Sequence, residues 1–459
     1  MDGSRVTSRC RTAGRGRRGA AAGLALAAAV SGAPLGGQEG GALRLGLTYE
    51  VRYVPGMVVT PVSARAGFGE LGAAVGEILR TDLDYSDRFE ILAVPDTLTL
   101  SGPPNYALWN ELGAVWLVTS DISVAPGTQT PLLRVSLHDV LHGTLENVQA
   151  FSLPSMDAAD FRMSVHRISD RIVFWATGGQ RGIAATRIAL RRRDGDGSSY
   201  LLLIDSDGRN PQRIDTGGRN VYSPAFSPDA TRIAYTIQDE TGYFSLVEMN
   251  LITRSRRTVT SGRLIQTPTW TPDGRLAYAE GVGGTTRILV EGGRQLTEGR
   301  VQSLNPSFSP DGTSFAYEAD PANEQQIYVR LVSGGPARRI SVYHPREDTN
   351  AAGPDWSPNG DRIAYSALSD RRWQIFTVNP DGTDRRMLTR RGESEDPSWA
   401  PDGRHLVFSS IDAQGSTVWI LDVFTGRSRP LTAGRLDGLP DVAPHPGRFM
   451  TGVVSRVAT

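Results

Sequence analysis

Pro306-Ser307-Phe308-Ser309-Pro310-Asp311-Gly312, running on into the apolar Phe315-Ala316-Tyr317, is the stretch on which the fold turns. Four others repeat it: Pro224-Ala225-Phe226-Ser227-Pro228-Asp229, Pro268-Thr269-Trp270-Thr271-Pro272-Asp273-Gly274, Pro354-Asp355-Trp356-Ser357-Pro358-Asn359-Gly360 and Pro397-Ser398-Trp399-Ala400-Pro401-Asp402-Gly403. Each leads into a short strand-like segment: Ile233-Ala234-Tyr235, Leu276-Ala277-Tyr278, Ile363-Ala364-Tyr365 and Leu406-Val407-Phe408. Their first prolines stand 44, 38, 48 and 43 residues apart. A period of about 40–45 residues, with room for four short strands, is that of a β-propeller blade.

The chemistry of the unit supports this reading. Proline in Ser-Pro-Asp-Gly presets φ, Ser or Asp caps the turn, and Gly takes the left-handed conformation that returns the chain in register. The aromatic before the turn and the Ala-Tyr after it alternate faces, which suits packing between neighbouring blades. Several repeats close on Arg-x-apolar-Thr: Arg294-Gln295-Leu296-Thr297, Arg386-Met387-Leu388-Thr389 and Arg429-Pro430-Leu431-Thr432.

Outward from the repeats, Thr186–Leu190, Tyr200–Ile204 and Gln212–Ile214 read as the second, third and fourth strands of a blade lacking its first. Leu439-Pro440-Asp441-Val442-Ala443-Pro444 reads as a first strand lacking its blade. Together they complete one blade and remove the free edges of the array, giving six blades. The run Arg448–Val454 is an alternative second strand, which leaves seven blades open.

The region before the repeats has a different texture. Met57–Val62 reads as a strand, and Leu71, Val75, Ile78, Leu79 and Leu83 recur at helical spacing. Phe89–Leu92 and Ala114–Val118 are further strands, with a short helix over Tyr106–Leu112. Leu132–Val140 and Leu145–Leu153 form a hairpin about His142-Gly143. Asp157 is expected to cap a helix striped by Phe161, Val165, Ile168, Ile172 and Trp175. The expected fold is thus an α/β amino-terminal domain, a mixed sheet with helices, followed by an all-β six-bladed propeller closed by the chain's last strand. The expected divisions are 1–37 (signal peptide), 38–180 (α/β domain), 183–446 (propeller) and 447–459 (tail).

The 459 residues carry 49 basic and 49 acidic side chains, every base being arginine. Six of those arginines lie in the first 18 residues, so the remainder is mildly acidic, which argues against a nucleic-acid partner. Arg15–Arg18, the apolar Ala20–Val30 and the small residues after them have the pattern of an export signal too short to span a bilayer. Cys10, the one cysteine, precedes the apolar run, so no lipid anchor or disulfide is expected in a mature, soluble, exported chain. A monomer without a membrane span is expected.

No Gly-x-Ser-x-Gly elbow is present, and the six histidines are scattered. His138 and His142 read as surface or turn residues, and Asp194–Ser198 as a polar hairpin loop rather than a calcium site. No catalytic residue, cofactor or metal is therefore expected. The loops entering each first strand should instead gather at one mouth of the channel, where loops on a rigid frame commonly bind. From them we select Arg263, Leu264, Ile265, Thr267, Ser303, Leu304, Arg346, Glu347, Asp348, Glu393 and Glu395 as candidate partner-binding residues: an apolar centre with a charged rim. The alternative is a propeller-type hydrolase or lyase acting on an exported polymer.

Both halves resemble the TolB family, propeller proteins of the Tol-Pal envelope system. In the first half the resemblance rests on Ala73–Leu83 with Ser86-Asp87-Arg88-Phe89, on Trp109–Ala114, and on Gly182-Ile183 leading to Thr186–Ala189; in the second it rests on the repeats. It implies a non-enzymatic periplasmic protein that docks through the channel mouth onto Pal, the peptidoglycan-associated lipoprotein. Leu264, Thr267 and Leu304 would be prominent there. It also implies a strand from about Gln38 to Leu47 engaging the inner-membrane protein TolA, although Leu45–Tyr49 lacks the family's usual polar composition. The implied role is support of outer-membrane integrity and constriction at division.

Overall fold

The computed structural model describes residues 54–94, 102–124, 127–216, 220–321, 323–342, 349–434 and 436–444. The first part runs β1 (Gly56–Val59), β2 (Ser63–Ala64), α1 (Gly69–Tyr85), β3 (Glu90–Leu92), α2 (Tyr106–Glu111), β4 (Ala114–Val124), β5 (Pro131–Asp139), β6 (Thr144–Ser152) and α3 (Phe161–Ala176). The sheet order is β3-β1-β4-β5-β6, with β2 also on β4. β1 is parallel to β3 and β4, while β4, β5 and β6 are antiparallel, so the sheet is mixed. The helical stripes close one core against it: Val75, Leu79 and Leu83 of α1 meet Val165, Ile168 and Ile172 of α3 over Met57, Val118 and Val135.

Two expectations need correction here. α3 starts at Phe161 after Asp160, not from a cap at Asp157, and Asp160 makes no side-chain cap bond. His138 is buried in the sheet rather than on the surface, its ring nitrogens 3.0 Å from the Tyr106 hydroxyl and 3.2 Å from that of Thr119. His142 is exposed and pairs with Asp139 at 2.8 Å. Asp194–Ser198 is a hairpin turn, with Asp194 N–H donating to Ser198 O at 2.8 Å.

The second part is six four-stranded antiparallel sheets, each a blade. Their inner strands are Asn220–Phe226, Ile265–Trp270, Ser303–Phe308, Ala351–Trp356, Glu393–Trp399 and Asp437–Val442. The last pairs with Arg187–Arg193, then Ser199–Asp205 and Gln212–Ile214, so the sixth blade joins both ends of the array. A bidentate Arg192–Asp437 pair at 2.6 and 2.8 Å fastens that join.

Local chemistry explains the repeats. In the third blade, Ser309 Oγ donates to Asp311 and accepts Ser314 N–H at 3.0 Å, while Gly312 takes φ +70°. The first blade lacks that glycine, and Ala230 adopts φ +55° in its place. The alternating aromatics Tyr235, Phe315 and Tyr365 are wholly buried between blades, each worth about 1.5–3 kcal/mol. The Thr of Arg-x-apolar-Thr prolongs the pairing through its side chain: the Thr297, Thr389 and Thr432 hydroxyls accept the N–H of Ile288, Ile375 and Val418 at 2.9, 2.9 and 3.1 Å.

The α/β part is bolted to the mouth at which the Ser-Pro-Asp-Gly turns lie. Asp87 (φ +52°) accepts from His405 Nε2 at 3.2 Å through Oδ2, and its carbonyl accepts from Arg404 at 2.6 Å. A second cluster joins His166 to Asp82 at 2.8 Å and Arg162 to Asp207 at 2.5 Å. The connecting segment is fixed by Asp170, whose carboxylate accepts the N–H of Ala184 and Ala185 at 2.8 and 2.9 Å. Gly182 packs so closely on that carboxylate that a Cβ would overlap it.

Candidate functional site at the channel mouth

Every inner strand contains one extra residue, a β-bulge, at its first proline, where the register of its pairing shifts. The residue before each proline has positive φ: Ser223 +46°, Thr267 +48°, Asn305 +50°, Gly353 +59°, Asp396 +53° and Leu439 +51°. Only one of the six is glycine, and proline disfavours helical conformations in the residue before it. A ring of local strain therefore surrounds the channel, of the sort that clusters at binding sites. The six residues line a channel cavity of about 140 Å3 together with the prolines and the residue after each proline. Neighbouring blades stitch the ring together: Asn305 N–H donates to Thr267 Oγ1 at 3.1 Å.

Two blades place a carboxylate after the proline. Asp355 accepts from Ser307 Oγ at 3.0 Å and Trp399 N–H at 2.7 Å, and burial pushes it up to about 6. Asp441 accepts Phe226 N–H at 2.7 Å, and burial pushes it up to about 8. Toward the mouth, Glu395 is raised to about 7 by burial and then by Asp396 and Glu393. Asp396 and Glu318 are raised mainly by burial. Glu318 takes hydrogen bonds from Asn305 Nδ2 at 2.9 Å and Gly353 N–H at 3.4 Å. Glu318, Asp355, Asp396 and Asp441 act as acceptors between strands or blades, and with Glu393 and Glu395 they make the third to sixth blades the more acidic side of the mouth.

The selected residues divide. Arg263 is exposed above the Tyr243 ring, Leu264 and Leu304 are half-buried on adjacent blades, and Thr267 lines the channel between them. Glu393 and Glu395 are half-buried on the fifth blade. Ile265 is wholly buried in the core between the first and second blades, and so faces no partner. Ser303 is likewise buried, its N–H donating to Thr286 Oγ1 at 2.7 Å. Alternation in the strand turns both inward one residue from their half-buried neighbours. Arg346, Glu347 and Asp348 lie outside the described residues. Sequence reasoning did not select Asn305, Glu318, Asp355, Asp396 or Asp441. The signal was the residue on either side of each repeat proline, where Asp355 and Asp441 replace the small side chains of other blades.

Among the described residues, Asp82, His166 and Asp207, and Asp87, His405 and Asp422, have donor atoms close enough to share a metal ion. Each cluster already holds a guanidinium: Arg162 on Asp207, and Arg404 on Asp422 at 2.6 Å. Their charge is thus compensated, and they serve as inter-domain ion pairs.

A closed six-bladed ring, carrying an α/β domain on one mouth and a strained, acid-rich channel at the other, defines a two-part propeller protein. The chain belongs to the TolB family: the model described as the TolB beta propeller domain matches residues 174–445, and that of the TolB amino-terminal domain matches 48–145. The Tol-Pal system protein TolB of Bordetella pertussis is 31% identical over 390 residues, covering 72% of this chain and 85% of that protein. Its Methylococcus capsulatus counterpart is 32% identical over 212 residues, covering 45% and 48%. The crystal structure of TolB from Acinetobacter baumannii superposes with a TM-score of 0.74 at 22% identity, covering 86% of this chain and 97% of that one, and shares the fold.

Proposed function

We propose that this chain is a periplasmic, non-enzymatic component of a Tol-Pal-type envelope complex. It docks through the channel mouth onto a peptidoglycan-associated lipoprotein and thereby supports outer-membrane integrity and constriction at division. The observation that carries this reading is the match, along most of the chain, to relatives named Tol-Pal system protein TolB. The mouth has suitable chemistry. Leu264 and Leu304 offer partly exposed apolar surface beside strained Thr267 and Asn305, and Glu393 and Glu395 form an acidic flank. The channel carboxylates are engaged by backbone N–H groups and serines, an arrangement suited to holding blades together rather than to hydrolysis or elimination. Engagement of a TolA-like protein would fall to residues 38–47, outside the described residues. No helix among the described residues is long and apolar enough to cross a membrane.

The test is capture of a purified, lipid-free peptidoglycan-associated lipoprotein domain by the mature chain. A partly buried leucine at an interface centre is worth about 1–3 kcal/mol. Leu264→Asp with Leu304→Asp should therefore weaken capture at least tenfold while circular dichroism stays unchanged. Undiminished capture by the double variant would remove the site, and no capture by the parent chain would remove the function.

A further inference from the structure

The mixed sheet of the α/β part ends on β6, a strand of nine residues whose outer edge meets no other strand among the described residues. Leu153 N–H donates to Pro131 O at 2.9 Å, which fixes the phase of the ladder. Hydrogen-bonded and non-hydrogen-bonded positions alternate in an antiparallel pair, so Asn147, Gln149 and Phe151 turn their backbone groups to β5. Val148, Ala150 and Ser152 turn theirs outward, and these three are the exposed residues of that stretch. Little blunts this edge. β6 holds no proline and no basic residue, and its one register shift lies between the pairs Leu137–Asn147 and His138–Leu145, leaving the rest regular. The other edges are short or charged. β3, at the far side of the sheet, has three residues, and the outermost strands of the second to sixth blades have two or three. That of the first blade, Arg256–Gly262, is tied to its neighbours through Arg256–Asp215 and Arg257–Glu291 at 2.9 and 2.8 Å.

On the face of the sheet away from α1 and α3, a trough of about 600 Å3 runs up to this edge. Leu108 and Trp109 of α2 form one wall, Thr119 and Ser136 the floor, and Leu145 and Val148 of β6 the other wall. Leu145 and Val148 are 53% and 52% exposed, large apolar side chains standing beside unpaired backbone. An open edge calls for an extended chain, whose own alternating N–H and C=O groups match it, and a pocket beside the edge takes alternate side chains of the same segment. Charge narrows the partner. Glu146 is exposed on this edge, accepts from Thr144 Oγ1 at 2.9 Å and has no ion pair among the described residues. We propose that β6 receives an extended segment of a partner protein as a further strand of this sheet. Its backbone pairs with Val148, Ala150 and Ser152, an apolar side chain enters the trough beside Leu145 and Val148, and a basic residue faces Glu146. This surface shares no residue with the channel mouth, so it serves a partner additional to the one proposed there.

The probe is a fluorescein-labelled, end-capped nine-residue peptide that alternates valine with threonine and carries one arginine, its binding to the full chain read by anisotropy. Ala150→Pro removes one outward N–H at a position where an edge strand tolerates proline, and should weaken binding at least tenfold. Val148→Lys, which leaves every hydrogen bond to β5 in place but charges the edge and the trough wall, should do the same. It decides alone if Ala150→Pro does not melt with the parent chain. Exchanging the peptide's arginine for glutamate should weaken binding about fivefold, the effect of like charges set opposite across a strand pair. Hydrogen–deuterium exchange should slow over residues 144–152 when the peptide binds. Capture of the lipoprotein domain should be unchanged in Val148→Lys, so the two readings fail separately. No binding by the parent, or equal binding by parent and variants, overturns the proposal. So does full protection of residues 144–152 in the free chain, because another segment of the chain or a second copy would then already fill the edge.

Discussion

Replacing His405 by glutamine should destabilise the protein by about 3 kcal/mol near neutral pH and almost not at all at pH 10. The imidazole is fully buried, 2.7 Å from Asp402 and 3.2 Å from Asp87, and so joins a propeller turn to the α/β domain. Burial alone would lower its pKa, but the charge and hydrogen bond of Asp402, with Asp87, outweigh that and raise it to about 9, against the ordinary 6.5. Reciprocally, burial would raise Asp402, but the His405 charge holds it down at about 2. A folded-state pKa above the unfolded value means stability that is fully present below pH 6.5 and lost as pH rises through 9. A gap of that size is worth about 3 kcal/mol. His405→Gln retains a neutral polar side chain but removes the cation, so the loss at pH 6.5 should be about 3 kcal/mol. By pH 10 the native imidazole is neutral too, and the difference should fall below about 0.5 kcal/mol. His166, raised to about 10 by Asp205 and Asp82 against the effect of burial, titrates in both proteins and cancels. Urea unfolding followed by tryptophan fluorescence at the two pH values measures the difference. An equal loss at both would refute the argument, since packing and not charge would then hold the contact.

The channel acids, also raised in the folded state, lose stability with rising pH in the same sense, beginning at a lower pH. Asp441→Asn should leave stability near pH 4 unchanged and raise it by about 2 kcal/mol or more at pH 7, because the native carboxyl, raised by burial to about 8, is still mostly protonated there while the unfolded one is ionised; thermal melts at both pH values test this. Arg192→Met strands the buried carboxylate of Asp437 at the blade that joins the array's ends, and should cost about 3 kcal/mol and hasten proteolysis there. Thr267→Val removes the acceptor for Asn305 N–H without relieving the positive φ, and should cost about 1–2 kcal/mol. Thr267→Gly, which relieves the backbone, should cost less in the same urea titration.

The blades were legible because the information for each is local. A turn needs Pro, Asp and Gly at fixed offsets, and a strand packed on both faces needs alternating aromatics and alanines, so a repeated sequence had to be a repeated sheet. The helix stripes were legible for the same reason, since Leu71 to Leu83 and Phe161 to Ile172 follow the helical period. The candidate site was legible only by position. Entering loops must meet at one mouth, but which side chains face outward depends on a register set by the bulge, and so Ile265 and Ser303 turned out to be core.

By itself, then, the sequence determined the repeating unit, the sharing of the sixth blade between distant segments, and the α/β domain ahead of it. Tertiary structure alone decided the strained ring before the prolines, the burial that raises the channel acids, and the burial of His166 and His405 between the domains. The physical reason is range. Turn and strand preferences act over a few residues, whereas a pKa, a bulge or an ion pair such as Asp87 with His405 depends on groups that only the closed ring brings within reach.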